Sequence, residues 1–455
     1  MPCEHKQVLS TLHTLPHATA AAVALLAGST ADAQLLRLLP DLPGGIVNGA
    51  PTQVSDDGRY LCGISNGVQG DRPVRWDART GEVLELSGGV LDNGIIFSAN
   101  AINGDGSVIV GQVINTSTSE AFRWVEGTGT QSLGDLPGGP VNSTAVGVSA
   151  DGTNVACRGS DDLGLAGFVW SESEGIQVLP RFASDSLDLP SAISSDGFVV
   201  VGSSLSPFLD QSFGVLWPDV QAPVLLDGVS LGAVFPTDAT PSPMDLVGFV
   251  VDQSGRDRAF VIAGGKLSLL ELAGAATDGS IANACSDDVS VIVGTQIQPD
   301  FSTLGVIWRN GGPGEKIADL LLQGGHRVPT GVEFADASAV SSDGRFVVGT
   351  SVNLNSFEVR PYILDLAQLN ACSLADVTAT GATLPGQPGF GEPDGDVDLD
   401  DLGYYLDFWL QGLPRADVTT TGATLKGQLG FGVPDSNIDL DDLGYFLGFW
   451  LAGCP

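Results

Sequence analysis

The sequence NGDGSVIVGQVINTSTSEAFRW, residues 103–124, decides the fold of this chain. It starts with an Asp-Gly turn, continues into an apolar run that ends at Gly111, and closes with a second short run that ends at Trp124. An Asp-Gly pair beside alternating or β-branched apolar residues is a strong short-range signal for a β-hairpin. The segment therefore predicts two neighbouring antiparallel strands with a polar turn before the first of them.

The same pattern recurs along the chain. The turn and first run recur as SDDGRYLCG (55–63), SADGTNVAC (149–157), SSDGFVVVG (194–202), SDDVSVIVG (286–294) and SSDGRFVVG (341–349). The second run recurs as PVRW (73–76), GFVW (167–170), GVLW (214–217), AFVI (259–262), GVIW (305–308) and PYIL (361–364). A third element, SLGDLPGG (132–139), is echoed by LLPDLPGG (38–45). Short strands repeated at a period of about 40–50 residues indicate a β-propeller.

We expect seven repeats over residues 34–366, with the fifth, near Val247-Gly248, lacking its Asp-Gly turn. The N-terminal LLRLLPDLPGG matches the last strand of a repeat rather than the first, which predicts that residues 35–39 complete the seventh blade and leave the ring without a free edge. The repeated pattern resembles the extracellular HAF-type repeat, and this resemblance implies propeller blades. The Trp and Asp-Gly elements are expected to be blade core and turns, not a functional site.

The C-terminal region contains a second, much closer duplication. Residues 375–412 recur at 416–453, with 28 of 38 aligned positions identical. Each copy has Asp at alternate positions and then apolar residues at helical spacing: Leu402, Leu406 and Trp409 in the first, and Leu443, Leu447 and Trp450 in the second. This predicts a polar loop that runs into a short packed helix, twice.

The spacing of the carboxylates suggests a metal site. In an EF-hand-type loop, oxygen ligands come from positions 1, 3, 5, 7, 9 and 12, with Gly at position 6. When Asp394 is placed at position 5, Gly395 falls at position 6. The predicted ligands are then Asp394, Asp396, Asp398 and Asp401 in the first copy, and Asp435, Asn437, Asp439 and Asp442 in the second. An oxygen-only set favours Ca²⁺ over zinc or copper, so we expect two calcium ions. The alternative is an acidic, solvated repeat without metal.

Residues 372–455 resemble the type I dockerin module, and more narrowly the planctomycete-type variant that ends in Gly-Cys, as Gly453-Cys454 does here. The resemblance implies that Asp376 and Asp417 match loop position 1. It also implies a cohesin-like or other surface-anchoring protein as the partner. The chain departs from the family in having fifteen residues (379–393) between loop positions 3 and 5, where a dockerin has one.

Composition limits the compartment and the partners. The formal net charge of −35 argues against binding to nucleic acid or to anionic membrane surfaces. Residues 1–33 resemble a secretory signal peptide, with Lys6, an apolar stretch over 18–27 and Ala31-Asp32-Ala33; the alternative is a disordered start. No stretch is long enough to span a bilayer. We therefore expect a secreted protein that is extracellular or associated with the cell surface.

The cysteines and histidines indicate which disulfides, thiols and catalytic groups the chain can have. Cys372 and Cys454 bracket the duplicated module and are predicted to form a disulfide. Three further cysteines lie in apolar strand contexts and are expected to be buried thiols: Cys62, Cys157 and Cys285. His326 is the one histidine after residue 33, and its polar GGHR setting predicts a surface residue. No catalytic residue is assigned, because the sequence shows no phosphate-binding fingerprint and no Cys pair at zinc spacing.

These observations predict an all-β fold: a seven-bladed β-propeller followed by a small α-helical, tandem EF-hand-like calcium module. The expected division is a signal peptide (1–33), the propeller (34–366), a linker (367–374) and the dockerin-like module (375–455). The favoured hypothesis is a non-catalytic binding or scaffold protein, docked through its tail, with a polysaccharide or protein ligand on the propeller face. The alternative is a carbohydrate-active, polysaccharide-degrading propeller enzyme anchored by the same tail, since such chemistry needs only two suitably placed carboxyl groups.

Overall fold

The computed structural model describes residues 35–369, except 185, 207–210, 227–230, 243–244, 275–277, 324–325 and 327, and in addition 399–411, 416 and 437–452. The strands in the first range pair almost entirely antiparallel and form one nine-stranded and five four-stranded sheets. The nine-stranded sheet has two halves that are joined by a single parallel bridge between Asn48 and Val359. The prediction of an all-β propeller for this part of the chain is confirmed.

The strands of the first four groups follow the repeats of the sequence. The first half-sheet contains β2 (Gly44–Val54), β3 (Tyr60–Gly67), β4 (Gly70–Asp77) and β5 (Glu82–Glu85). The second sheet contains β6 (Ile96–Ile102), β7 (Val108–Ile114), β8 (Ser119–Val125) and β9 (Gly129–Gly134). The third sheet contains β10 (Thr144–Val148), β11 (Asn154–Asp161), β12 (Gly164–Ser171) and β13 (Gly175–Val178). The fourth sheet contains β14 (Leu187–Ile193), β15 (Val199–Ser206), β16 (Gln211–Pro218) and β17 (Val224–Leu225).

The remaining groups continue the same order. The fifth sheet contains β18 (Gly232–Ala239), β19 (Leu246–Asp252), β20 (Asp257–Ala263) and β21 (Lys266–Leu269). The sixth sheet contains β22 (Gly279–Cys285), β23 (Val291–Ile297), β24 (Thr303–Arg309) and β25 (Glu315–Lys316). The last half-sheet contains β26 (Val332–Phe334), β27 (Ala339–Val340), β28 (Phe346–Asn353), β29 (Val359–Asp365) and, out of chain order, β1 (Leu36–Leu38). The helical turns among them are α1 (Ile317–Gln323) and the 3₁₀ helices Gly89–Asn93 and Leu366–Leu369.

The N-terminal strand β1 pairs with β29, the last strand of the propeller region, as predicted for residues 35–39. β1 runs antiparallel to β29 in the register Leu36–Leu364, Arg37–Ile363 and Leu38–Tyr362. Just beyond β1, the backbone N–H of Leu39 donates to the carbonyl of Pro361 at 2.8 Å. These bonds satisfy the outer edge of β29, which otherwise presents unpaired backbone groups to solvent.

The tryptophans hold successive sheets together. The indole Nε1 of Trp217, in the fourth sheet, donates to the carbonyl of Pro180 after the third sheet at 2.8 Å. Trp76, in the first half-sheet, makes the same 2.8 Å bond to Pro40, two residues after β1. Pro40 thus has the role that Pro180 has two residues after an ordinary outer strand. These indoles are buried, as expected for blade core, and each satisfies its one polar group.

A second set of contacts links the first strand of each sheet to the next. Thr237 of β18 donates from Oγ1 to the carbonyl of Ala282 in β22 at 2.7 Å. At the equivalent place, Ser338 of the last half-sheet donates to the carbonyl of Pro51 in the first half-sheet at 2.9 Å, across 287 residues of sequence. The two halves of the nine-stranded sheet therefore meet through the same kind of bridge that joins separate sheets.

Two helices are described in the C-terminal region: α2 (Leu399–Leu410) and α3 (Leu440–Ala452). They coincide with the apolar runs that the sequence predicted to be helical. Tyr405 of α2 stacks on Phe446 of α3 with ring centroids 3.8 Å apart, and its hydroxyl donates to the carbonyl of Ala416 at 3.0 Å. Trp409 donates from Nε1 to the carbonyl of Asp439 at 2.8 Å. The two copies of the duplication thus pack against each other through their aromatic residues.

Candidate functional site

The polar residues that recur from repeat to repeat in this chain mostly form hydrogen bonds within its turns. In the first copy, the Ser55 hydroxyl donates to Asp57 at 2.9 Å and accepts the backbone N–H of Tyr60 at 2.9 Å. Gly58 completes the turn with a φ of 66°, a left-handed conformation that favours glycine. The equivalent Ser-to-Asp bond recurs in the third, fourth, sixth and last copies, at 149–151, 194–196, 286–288 and 341–343. These carboxylates therefore stabilise the turns of the fold.

The residue between the Ser and the Asp of each turn lies on a central cavity. This cavity measures about 50 Å³ and is lined at these positions by Asp56, Gly104, Ala150, Ser195, Asp287 and Ser342. Backbone hydrogen bonds follow its wall from sheet to sheet: 56 to 104, 104 to 150, 150 to 195, and 287 to 342, at 2.8–2.9 Å. Since a buried water needs at least about 10–15 Å³, the space admits a few waters and no sugar or peptide.

Two carboxylates in the cavity are tied to serines of other sheets. The Ser195 hydroxyl donates to Asp287 at 3.0 and 2.8 Å, and the Ser342 hydroxyl donates to Asp56 at 2.6 Å. Burial raises the pKa of Asp287, against the effect of the Ser195 bond. These contacts join the fourth to the sixth sheet and the last half-sheet to the first.

A third carboxylate on the cavity has an unusual protonation behaviour. Asp238 accepts the backbone N–H groups of Cys285 at 3.0 Å and Ala239 at 2.9 Å. Loss of hydration in this narrow space raises its pKa from 3.8 to about 7, and the two N–H donors only partly oppose that effect. No sequence pattern pointed to Asp238, because its partner Cys285 lies 47 residues away in the next sheet.

A larger opening than the central cavity lies between the third and fourth sheets. It is a groove of about 500 Å³ on the side of the Asp-Gly turns. Charged side chains on it are Arg123, Glu172, Glu174 and Asp219. Phe198, which is 56% exposed, and Val220 give it an apolar rim. A cleft of this volume is in the size range of small-ligand sites, and its mixed lining offers both charge and apolar contact.

The groove also holds an uncommon backbone conformation. Asp219 and Val220 have φ values of 47° and 56°, both in the left-handed region. The N–H of Gln221 donates to the carbonyl of Pro218 at 2.9 Å, so these two residues are the centre of a tight turn. Such a turn usually carries Asn or Gly, and a β-branched residue in it stores strain of about 1–3 kcal/mol.

Arg123 is the one cation on the lining of this groove in the described part of the chain. Its guanidinium donates to the carbonyl of Gly152 at 3.2 Å and lies 5.8 Å from the ring centroid of Trp170. Burial lowers its pKa, and the negative charge of Glu172 opposes this effect. Its Nε has no hydrogen-bond partner among the described residues.

The predicted calcium ligands fall mostly outside the described residues: this applies to Asp376, Asp394, Asp396, Asp398, Asp417 and Asp435. Asp401 lies in α2. Asn437, Asp439 and Asp442 come together at the start of α3, where the Asp439 N–H donates to Asp442 at 2.9 Å and Asn437 donates to Asp439 at 3.0 Å. Asp442 is completely buried. Within the part of the chain that the structure describes, no group of three or more His, Cys, Asp or Glu is arranged to hold a metal.

The predicted buried thiols are confirmed: Cys62, Cys157 and Cys285 are free and buried. Burial raises the pKa of Cys62 to about 12, so it is not a nucleophile at neutral pH. Cys372 and Cys454 lie outside the described residues, and their disulfide stays a prediction.

The expectation of a plain surface histidine was wrong, because His326 follows α1 in a partly buried position. Burial lowers its pKa, and its Nε2 is buried without a hydrogen-bond partner among the described residues.

No protein-family model and no curated protein sequence matches this chain. Among solved structures, it is similar to an oligogalacturonate lyase from Vibrio parahaemolyticus, with 10% identity over 73% of this chain and 95% of that one and a TM-score of 0.48. It is also similar to the β-propeller domain of the trilobed protease from Pyrococcus furiosus, with 12% identity, 70% and 96% coverage and a TM-score of 0.47. TolB from Acinetobacter baumannii gives 13% identity, 68% and 80% coverage and a TM-score of 0.40. At these identities the similarity concerns the fold alone.

Within the described residues, no helix has both the length and the apolar character needed to cross a bilayer.

Proposed function

We propose that this protein is a secreted, non-catalytic binding or scaffold protein. In this proposal it combines a closed seven-bladed propeller of the HAF-repeat type with a dockerin-like, calcium-binding tail. The propeller presents a binding face, and the tail docks the protein to a cohesin-like or other anchoring partner at the cell surface or in an extracellular complex.

The proposed blade count rests on how the strands are grouped. Five four-stranded sheets and the two halves of the nine-stranded sheet make seven groups among the described strands. The bridge from Ser338 to Pro51 and the pairing of β1 with β29 support a ring in which the last blade takes its outer strand from the N-terminus. In a ring closed in this way the last blade has an outer strand like the others, and only short strand edges remain at the rim, which suits a secreted repeat protein.

The binding role rests on one observation: the acids that the repeats share are hydrogen-bonded within the fold, while the groove is open. The turn carboxylates and the cavity acids Asp56 and Asp287 are hydrogen-bonded to serines, and the central cavity is too small for a substrate. The open groove between the third and fourth sheets is large enough for a ligand and carries charged and apolar contacts. Recognition, which needs shape and charge, is the activity that this groove supports best.

The donor chemistry of the tail agrees with the calcium proposal. Three predicted ligands of the second copy are described, an amide and two carboxylates, which belong to the hard oxygen donors that Ca²⁺ prefers: Asn437, Asp439 and Asp442. When bound, the ion would neutralise the clustered carboxylates. The residues of this chain would orient the loop through the N–H bond from Asp439 to Asp442 and would keep α2 and α3 packed through Tyr405 and Phe446.

The test is a screen of the purified protein against soluble polysaccharides and extracellular proteins, with binding and reducing-end release measured in parallel. We expect retention on a partner with no release of reducing ends. Polysaccharide cleavage that disappears in Glu172→Gln or Glu174→Gln would instead establish the carbohydrate-active enzyme. A matched control is Asp162→Asn, which removes one exposed charge from the third sheet away from the groove.

A further inference from the structure

The chain contains its own example of how a guanidinium is held between two blades. Arg75 of β4 donates to the carbonyl of Gly106 in the second sheet at 2.8 Å and to Glu126 at 2.6 Å. It also lies 5.1 Å from the ring centroid of Trp124 and is only 6% exposed. A buried Arg is thus satisfied by a turn carbonyl, a carboxylate and an indole face, all from the neighbouring sheet.

The next interface repeats this arrangement with Arg123. Like Arg75, this residue directly precedes the Trp of its strand, and it donates to the carbonyl of Gly152 in the third sheet and lies over Trp170. Glu172 stands at the position of Glu126, two residues after the Trp, and its charge acts on Arg123. Two successive interfaces therefore have the same site, which consists of an arginine, a turn carbonyl, a carboxylate and an indole.

The third interface has the acceptors without the arginine. Gly197, Asp219 and Trp217 of the fourth sheet occupy the positions of Gly106, Glu126 and Trp124. The match extends to the backbone, since the Asp219 N–H donates to Phe198 as the Glu126 N–H donates to Ser107. The third sheet, however, presents Val169 at the position of Arg75 and Arg123.

The interface that has Val169 in place of an arginine is also the one where the groove lies. Gly197, Asp219 and Val169 all line the opening of about 500 Å³, and so does Asn154, which stands at the position of Tyr60 beside Arg75. Among the described repeats, the other four interfaces do not offer the full acceptor set: Ala78, Asn310 and Leu366 stand where Asp219 does in the first, sixth and last groups, and the fifth sheet has no Asp-Gly turn. With Glu172 and Glu174 beside Asp219 and Arg123 as the one lining cation, the groove has a formal excess of negative charge.

We propose that the groove between the third and fourth sheets binds an arginine side chain of a partner protein. The guanidinium takes the place that Arg75 and Arg123 take at the two preceding interfaces, between the carbonyl of Gly197 and the carboxylate of Asp219. Arginine suits this site better than lysine, because its planar group donates in two directions at once and its charge is permanent. The inference deepens the proposed binding role and rests on it.

The experiment uses the purified full-length protein and a small probe. N-acetyl-arginine N-methylamide and its citrulline counterpart, which has the same shape without the charge, are titrated by ligand-observed NMR. We expect the arginine probe to bind about tenfold or more tightly than the citrulline probe, because one charge-assisted contact is lost in the latter. Addition of salt should weaken the arginine probe and leave the citrulline probe nearly unchanged.

Two substitutions locate the site. Asp219→Asn, at an exposed position whose left-handed backbone Asn tolerates, should weaken the arginine probe by about tenfold or more. Val169→Arg should fill the site from within and abolish probe binding, while Asp162→Asn should bind as the parent does. The proposal is overturned if both probes bind equally, or if Asp219→Asn and Val169→Arg leave the arginine affinity unchanged.

Failure of the arginine site and failure of the proposed binding function give different results. If the probe does not discriminate but the protein is still retained on a partner without cleaving it, the binding function stands and the arginine site is wrong. If the protein releases reducing ends from a polysaccharide, the proposed function itself fails, whatever the probe does.

Discussion

Leu39 offers the sharpest test of how the ring is closed. It follows β1, is completely buried, and packs in one apolar cluster with Trp76, Tyr362 and Leu364. Its side chain thus joins residues from the first and last half-sheets in one core. Leu39→Ala should leave a cavity there and cost about 2–5 kcal/mol of unfolding free energy.

The expected shift in melting temperature follows from the size of the fold. Treated as one unfolding unit, residues 35–369 at about 2.1 cal/mol/K per residue have an unfolding entropy of about 0.7 kcal/mol/K. A loss of about 3 kcal/mol should therefore lower the melting temperature by about 4 °C. Ile46→Ala, at a position in β2 that is 71% exposed, is the matched control and should shift it by less than about 1 °C.

Scanning calorimetry of the full-length variants at one fixed scan rate makes the comparison, because large propellers often unfold irreversibly. A truncation that begins at Asn48 removes β1 altogether and exposes the edge of β29, so it should aggregate or melt far below Leu39→Ala. If Leu39→Ala melts like Ile46→Ala, or if the truncated chain melts like the parent, the closing role of residues 35–39 is refuted.

The remaining predictions concern protonation, calcium and the disulfide. The folded pKa of Asp238 is about 7 against an ordinary 3.8, so the folded state keeps a proton that the unfolded chain releases from about pH 4 upward. The stability contributed by this group is therefore greatest below pH 4 and falls by at most about 1.4 kcal/mol per pH unit up to pH 7; relative to Asp238→Asn, urea unfolding should show this decline, and parallel curves would contradict it. The full-length protein should bind two calcium ions in calorimetry, with Asp442→Ala losing one of them, whereas an unchanged heat signal after chelation would show that the repeat binds no metal. Non-reducing peptide mapping should recover Cys372 linked to Cys454, and alkylation of Cys454 in the unreduced protein would rule the bond out.

Local patterns predicted the parts of the fold that are built from sequence neighbours. The Asp-Gly turns and the buried tryptophans follow from residues a few positions apart, because the turn chemistry and strand alternation act over that range. The closing strand was predicted differently, from the match of residues 38–45 to 132–139, although it pairs Leu36 with the distant Leu364. The helices α2 and α3 were predicted for the same reason, since apolar residues at helical spacing define one face.

Contacts between sheets could not be predicted in the same way. The bond from the Cys285 N–H to Asp238 and the bond from Arg75 to the Gly106 carbonyl depend on the register between two sheets, which no single repeat encodes. Arg75, Arg123 and Val169 could have been aligned as the residue before each Trp, but only the structure shows that this position faces the turn carbonyl of the next sheet. The open groove was missed for that reason.

The backbone bonds around the central cavity have a consequence for local opening of the fold. They run from one Asp-Gly turn to the next over most of the ring, and between the last and first half-sheets the Ser342 hydroxyl bonds to Asp56 instead. At the fifth sheet the corresponding residue is Pro241, which has no N–H to donate. Side chains act there instead: Ser195 reaches past the fifth sheet to Asp287, and Asp238 holds the N–H of Cys285. Amide hydrogen exchange should therefore be fastest around β18 and β22, and partial opening of the ring should begin at this seam, while β1 and β29 still hold its ends together.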